Sequence, residues 1–398
     1  MGSSPSQYCN YLVNMINNND YIFNEHSHRI KAAILIQSVF RGYFYRRMHP
    51  ELLIAKISLR NNNNNIQLNS TSSDNREELN VKEVGLNYSI ETIEVNATVQ
   101  KLKQLIPKFE LDDKEKYIIS TSNFKKKGLL YIDGSIYKGM VSNILSRECF
   151  GIYYFNNGNI YEGFFVNDNM EGRGRIISVE GFVYEGDFQN NTASGYGKCL
   201  FEDGSLYKGN WVNNKKQGLG EETYPDGSSY IGNFVNGKKN GRGKLSFPDG
   251  NSYEGEFWNN EIKGEGLYKF KDGRIYMGHF FNNKMNGYGI FKWPDNTKYY
   301  GHYDENKKNG FGAFFWVDGK KYEGFWKDGK QDGFGYIKEN NMKAYGEWSK
   351  GKKMKDINDA HEKKQIQNSI KRRKEEFDYQ SFKIKIDLYE KEIGINKL

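Results

Sequence analysis

Ile36 and Gln37, then Arg41 and Gly42, then Arg46 fall on a predicted helix over residues 27–49, opened by Ser27 and closed before Pro50. Ala33, Ile36, Phe40 and Phe44 recur at helical steps and share one face. Arg41, Arg46 and Arg47 add fixed positive charge beside that face. An apolar stripe rimmed by guanidinium groups is suited to capture by an acidic partner, or to docking on the chain's own surface. A second chemical signal lies in residues 1–26. Met1-Gly2-Ser3-Ser4-Pro5-Ser6 fits the acceptor pattern for N-myristoylation at Gly2, with Cys9 near enough to take a palmitoyl chain. The alternative is an ordinary polar start. One acyl chain holds a membrane only marginally, so Cys9 or a basic surface has to help.

Chemistry of other kinds is missing from the sequence. His26, His28 and His49 flank the helix, and His279 and His302 lie far along the chain, so no metal-ligand spacing emerges. The Gly-x-Gly pairs lack the third glycine and the following helix of a dinucleotide loop. Cys9, Cys149 and Cys199 are widely separated and read as reduced thiols in a cytoplasmic protein. The expectation is a protein without metal, cofactor or catalytic centre.

What positions everything else is a period. Tyr-x-Gly recurs at Tyr161, Tyr184, Tyr207, Tyr230, Tyr253, Tyr276, Tyr299 and Tyr322, each 23 residues after the last. An earlier copy starts at Tyr137, and a degraded one has Ala344 in the tyrosine place, followed by Tyr345-Gly346-Glu347-Trp348. Such a period decides the architecture before any motif does. Tyr207, Gly209 and Trp211 alternate, so they share one face of a strand. Gly218 and Gly220 open a second strand, and Asp226-Gly227 marks the turn to the next copy. Each period is a β-hairpin, and stacked hairpins bury aromatics that one hairpin alone leaves exposed.

Tyr-x-Gly-x-Phe/Trp followed by Gly-x-Gly and a closing glycine resembles the MORN repeat, in nine recognisable copies and one degraded. The resemblance implies a mainly β fold, an elongated single-layer antiparallel β-ribbon of stacked hairpins over residues 128–352. It also implies a scaffold placed against membranes or cytoskeleton. Ten hairpins at about 4.8 Å per strand give roughly 90–100 Å of ribbon. Two copies depart from the pattern: Cys149 replaces the first glycine of a Gly-x-Gly, and Asn296 stands at a turn glycine. Some MORN proteins carry a lipid-kinase or methyltransferase domain, for which the remaining segments here are too short and polar. The helix at 27–49 resembles the IQ motif at Ile36, Gln37, Arg41, Gly42 and Arg46. That resemblance implies calmodulin or a calmodulin-like light chain as partner.

Residues 50–80 hold Asn61 to Asn65 and a Ser/Thr cluster, a low-complexity linker. Residues 81–127 are expected to cap the first hairpin, with a short helix from Ala97 to Ile106 between strand-like pieces. Residues 353–398 read as a charged helix with Ile366, Ile370, Phe377, Phe382, Ile386 and Tyr389 as its apolar set. The whole chain has 398 residues, 37% hydrophobic but 15% aromatic, with 43 glycines. That balance suits a thin sheet stitched by rings rather than a thick aliphatic core. No apolar run reaches the ~20 residues of a membrane span. A net charge of +8 attracts acidic surfaces without calling for nucleic acid.

The repeats order that charge. Lys215, Lys216, Lys238, Lys239, Lys307 and Lys308 sit at one turn of each hairpin, and Asp203, Asp226, Asp249, Asp272, Asp295 and Asp318 at the other. The lysines are read as an anionic-lipid edge or as solvated turns, the aspartates chiefly as turn formers. Together these features predict a non-enzymatic, peripheral scaffold on the cytosolic face of a membrane or at the cell cortex. The other readings are a cytoskeletal or axonemal part without lipid contact, and a regulatory subunit that docks a separate enzyme.

Overall fold

A computed structural model describes residues 81–88 and 96–376. Among these residues, 22 strands form one open antiparallel sheet. Each strand pairs with the next in sequence, from β1 (Val81–Val84) to β22 (Lys352–Asp356). The mainly β reading of the sequence is correct. From β2 onward the pairings are local, as expected of hairpins that contact only their neighbours, whereas β1 pairs with β2 across the segment that holds two helices.

The repeat explains itself position by position. The tyrosine ring lies over two glycines, one on its own strand and one on the next. A Cβ added at Gly209 or Gly220 would lie 2.5 Å from the Tyr207 hydroxyl oxygen. The hydroxyl then donates to the carbonyl three residues on, at 2.8–3.2 Å in all nine copies from Tyr137 to Tyr322. Phenylalanine would leave that carbonyl without this donor, which is why the place takes tyrosine. From Phe165 to Trp326 the aromatic residue four after each tyrosine, Phe or Trp except at Tyr303, packs edge-on against two tyrosines. Phe257, for example, meets Tyr230 at 4.9 Å and Tyr253 at 5.3 Å. The same contact runs from Tyr137–Phe165 to Tyr322–Trp348, so the rings form one continuous core.

The turns are equally specific. Asn213 and Asn214 both take positive φ, as a two-residue hairpin turn of the mirror-image type requires. Past that turn the register slips between Lys216 and Gly220. At the equivalent place in other copies the next repeat supplies a strap: Asn214 Oδ1 accepts from the Ala193 amide at 2.7 Å, and Asn260, Asn283 and Asn306 repeat the bond at 2.8 Å. At the opposite turn, the side chains of Asp203, Asp226, Asp249, Asp272, Asp295 and Asp318 accept from the amide two residues on. Those aspartates are turn formers, as their spacing suggests. Cys149 and Asn296, the two departures from the glycine pattern, keep the left-handed backbone at φ 54° and 69°. Asparagine takes that conformation readily, whereas cysteine bears the ordinary cost of a side chain there.

Two helical pieces lie against the first repeats. α1 (Ala97–Leu105) is capped by Asn96 and places Val99 and Leu102 on Ile160, Ile177 and Val183. The stretch after Pro107, expected as strand-like, is instead α2 (Asp113–Thr121). Asp112 and Glu115 form a reciprocal capping box there and satisfy the first amides of a helix. Between α1 and α2, Phe109 lies under the guanidinium groups of Arg173 and Arg175, at 4.5 Å and 5.2 Å. Arg175 also donates to the Pro107 carbonyl at 2.8 Å and pairs with Glu185 at 2.6 Å. At the far end α3 (Ala360–Glu376) sets Ile366 and Ile370 against Tyr336, Tyr345 and Ile357. Ala344 pairs with Ile337 in the tyrosine register, and Tyr345 points to the other side, where its hydroxyl accepts from Gln367 at 2.8 Å.

Candidate functional site

A single sheet has two faces, and this one divides its work between them. On the tyrosine face the row nine residues after each tyrosine is apolar in half of the copies from Tyr161 to Tyr322: Met170, Ala193, Ile262 and Met285. Lys216, Lys239 and Lys308 fall in the same row and fold back over the rings. The ammonium of Lys216 lies 4.8 Å from the centre of Tyr207, and that of Lys239 5.2 Å from Tyr230. Both lysines pair with Glu222, at 2.5 Å and 3.0 Å, and Tyr224 donates its hydroxyl to the same carboxylate. Burial alone would raise the Glu222 pKa. The hydrogen bonds from Lys216 and Tyr224, with the charges of Lys216 and Lys239, outweigh it and hold the group below its ordinary range.

The six lysines of the expected basic edge therefore separate into two sets. Lys215, Lys238 and Lys307 stand exposed at the turns, and Lys216, Lys239 and Lys308 are half-buried against aromatic rings. The split follows from strand alternation, since adjacent residues of a strand face opposite sides. Within each pair, only the first lysine is presented outward.

The opposite face is covered by helices at two places, α1 beside Ile160 and Val183, and α3 beside Tyr336. Between them a stripe of apolar side chains is open: Val212 is 51% exposed, Val235 42%, Trp258 55% and Phe281 48%. Each directly follows the buried Phe or Trp of its repeat and pairs across the turn, Val212 with Lys215, Val235 with Lys238, Trp258 with Glu261 and Phe281 with Lys284. Lys263 reaches between the two rings, 6.0 Å from Trp258 and 5.2 Å from Phe281. Successive repeats are two strands apart, so the four side chains are spaced by about 9.6 Å. Contiguous exposed apolar side chains, aromatic ones above all, are a recognised mark of contact surfaces. Sequence reading passed over this stripe. Its signal was the doublets Trp211-Val212, Phe234-Val235, Phe257-Trp258 and Phe280-Phe281, which give way to Tyr303-Asp304 and Trp326-Lys327 in later copies.

A family model for the MORN repeat matches eight times, at residues 161–181, 184–206, 207–229, 230–252, 253–273, 276–298, 299–321 and 322–337. These are MORN repeats. The copies at Tyr137 and Ala344 lie beyond the matched range and form the same hairpins of the MORN array. A second family model, the IQ calmodulin-binding motif, matches residues 30–47. It covers Ile36, Gln37, Arg41, Gly42 and Arg46. Those five residues, and Gly2 and Cys9, lie outside the described residues. No curated protein matches the chain. Among solved structures, the TCP10 domain of Danio rerio CPAP is 14% identical with a TM-score of 0.30, over 58% of this chain and 99% of that one. The TCP domain of Drosophila melanogaster SAS-4 is also 14% identical, with a TM-score of 0.21, over 49% of this chain and 96% of that one.

Proposed function

We propose that this MORN-repeat protein is a non-enzymatic scaffold that tethers a calmodulin-like partner to a membrane face or to the cortical cytoskeleton. The carrying observation is the pairing, in one chain, of an IQ motif at 30–47 with a MORN array that leaves an apolar and basic stripe open. The IQ helix supplies the recruiting element, with Ile36 as its apolar anchor and Arg41 and Arg46 facing acidic side chains. Gly2, acylated, with Cys9 as a second acyl site, supplies the membrane attachment. The exposed lysines Lys215, Lys238 and Lys307 add attraction to anionic headgroups, at about 1 kcal/mol for each lysine close to the surface.

Sedimentation with phosphatidylserine vesicles, with calmodulin present, tests this reading. The chain is expected to carry calmodulin into the pellet. Replacing Lys215, Lys238 and Lys307 by alanine weakens vesicle binding by about tenfold or more. Replacing Lys216 and Lys239 leaves it nearly unchanged, since both lie half-buried over the rings rather than at the exposed turns. Equal effects from the two sets reject the exposed-lysine edge. Absence of vesicle binding in the native, modified protein removes the membrane tether and favours a cytoskeletal part. Co-purification with a catalytic chain favours a regulatory subunit.

A further inference from the structure

Lys308 holds the same place in its repeat as Lys216 and Lys239, nine residues after the repeat tyrosine. Those two share Glu222 as counter-ion. In the Lys308 repeat the corresponding residue is Phe314, fifteen after Tyr299 as Glu222 is fifteen after Tyr207. The Lys308 ammonium meets rings where its counterparts meet a carboxylate: Phe314 and Trp326 at 4.6 Å, Tyr299 at 5.2 Å and Trp293 at 5.5 Å. Among the described residues its amine has no ion pair or hydrogen bond. Its row neighbours Met285 and Gln331 carry no charge. The nearby phenols of Tyr299 and Tyr303 stay protonated, since burial raises both well above their ordinary range.

Ring faces offset part of the cost of desolvating an ammonium, but among the described residues no protein acceptor takes its N–H donors. Removing the proton relieves that cost. Burial accordingly pushes the Lys308 pKa down to about 8. A lysine free of its proton near neutral pH is a nucleophile, while a paired ammonium is not.

We propose that Lys308 is a covalent modification site, its amine taking an acyl group from an acyl thioester. The nitrogen lone pair attacks the thioester carbonyl carbon and a C–N bond forms. The C–S bond breaks, and the thiolate leaves and takes up the proton lost from nitrogen. The product is a neutral amide that needs no counter-ion beside Trp293, Phe314 and Trp326. In the same chain, Lys216 and Lys239 have their amines engaged by the Glu222 carboxylate and acylate slowly.

The test is to incubate the full chain at neutral pH with the acetyl thioester of N-acetylcysteamine and to measure occupancy at each lysine by mass spectrometry. Lys308 is expected to react at least about fivefold faster than Lys216, Lys239 or the adjacent Lys307, because burial pushes its pKa down to about 8 and no carboxylate engages its amine. Its rate should rise with pH to a midpoint near 8. The preference should vanish in denaturing urea. Phe314→Glu, which recreates the Glu222 pairing, should bring the rate down to that of Lys216. Lys308 reacting no faster than Lys216 in the native chain overturns the proposal, as does a preference that survives urea. If Phe314→Glu fails to fold, the comparison within the unaltered chain still decides.

Discussion

Replacing Gly255 by alanine is expected to open the middle of the array. The added Cβ would lie 2.4 Å from the Tyr253 hydroxyl, 2.5 Å from Gly266 Cα and 2.7 Å from the Glu265 carbonyl. Two of those atoms are backbone, so the strands have to part or the ring has to leave. Overpacking of this kind costs about 3 kcal/mol, and losing the Tyr253 bond to Glu256 adds about 1 kcal/mol. The damage should stay near the substituted repeat, because each hairpin rests only on its neighbours. Amide exchange should quicken in residues 253–291 while the first repeats keep their protection. Gly237→Ala is the control. It has no atom within 4 Å of the new Cβ and only its φ of +84° to strain it, at about 1–2 kcal/mol. Equal losses from the two substitutions would refute close packing as the reason for the glycine pairs.

The second large effect is expected at Glu323, whose carboxylate is fully buried where α3 meets the sheet. Lys321 and Lys374 pair with it, and Tyr336 donates its hydroxyl at 2.7 Å. Burial alone would raise the Glu323 pKa. The charge and hydrogen bond of Lys321, then those of Lys374, outweigh it and leave the group lower than an ordinary glutamate. Glu323→Ala removes the shared partner of three donors and should cost about 3 kcal/mol, less whatever the half-exposed Lys374 regains from water. Glu323→Gln should cost less, keeping an acceptor without the charge. The sign with pH follows from the lowered pKa. The stabilisation is complete above the unfolded glutamate pKa and is lost as pH falls through the folded one. Protection of the α3 amides should fall as pH is lowered in the unaltered protein, and should already be low at neutral pH in the Glu323→Ala protein. Unchanged α3 protection in Glu323→Ala would show that the helix is held without this carboxylate, by Ile366, Ile370 and the Gln367 bond to Tyr345.

Much of this was legible in the sequence because the repeat is written in residues with few alternatives. Tyrosine over paired glycines, Asp-Gly turns and a 23-residue step leave one architecture. The Ala344 copy could be placed by register alone, and its Trp348 does pack on Tyr322. Less legible was anything that depends on which way a residue points after the strand alternates. Lys215 and Lys216 read as one basic pair, yet one faces solvent and the other lies on Tyr207. Glu222 drew no notice, although its row holds Ile176, Cys199, Leu245, Tyr268 and Phe291 in other copies. α2 escaped because Tyr117-Ile118-Ile119 suggests a strand, while the capping box at Asp112 and Glu115 commits the stretch to a helix.

The most direct measurement is calorimetric titration of the full chain with calmodulin, in calcium and again with calcium chelated, beside the Ile36→Ala variant. Binding is expected in both conditions, since the motif resembles ligands of the calcium-free lobe. Ile36→Ala should weaken it by about tenfold or more, as loss of 1.5–3 kcal/mol of apolar burial requires, with an unchanged melting temperature. No binding in either condition, together with an Ile36→Ala chain that melts earlier, would make the helix a structural part of its own protein and contradict the scaffold.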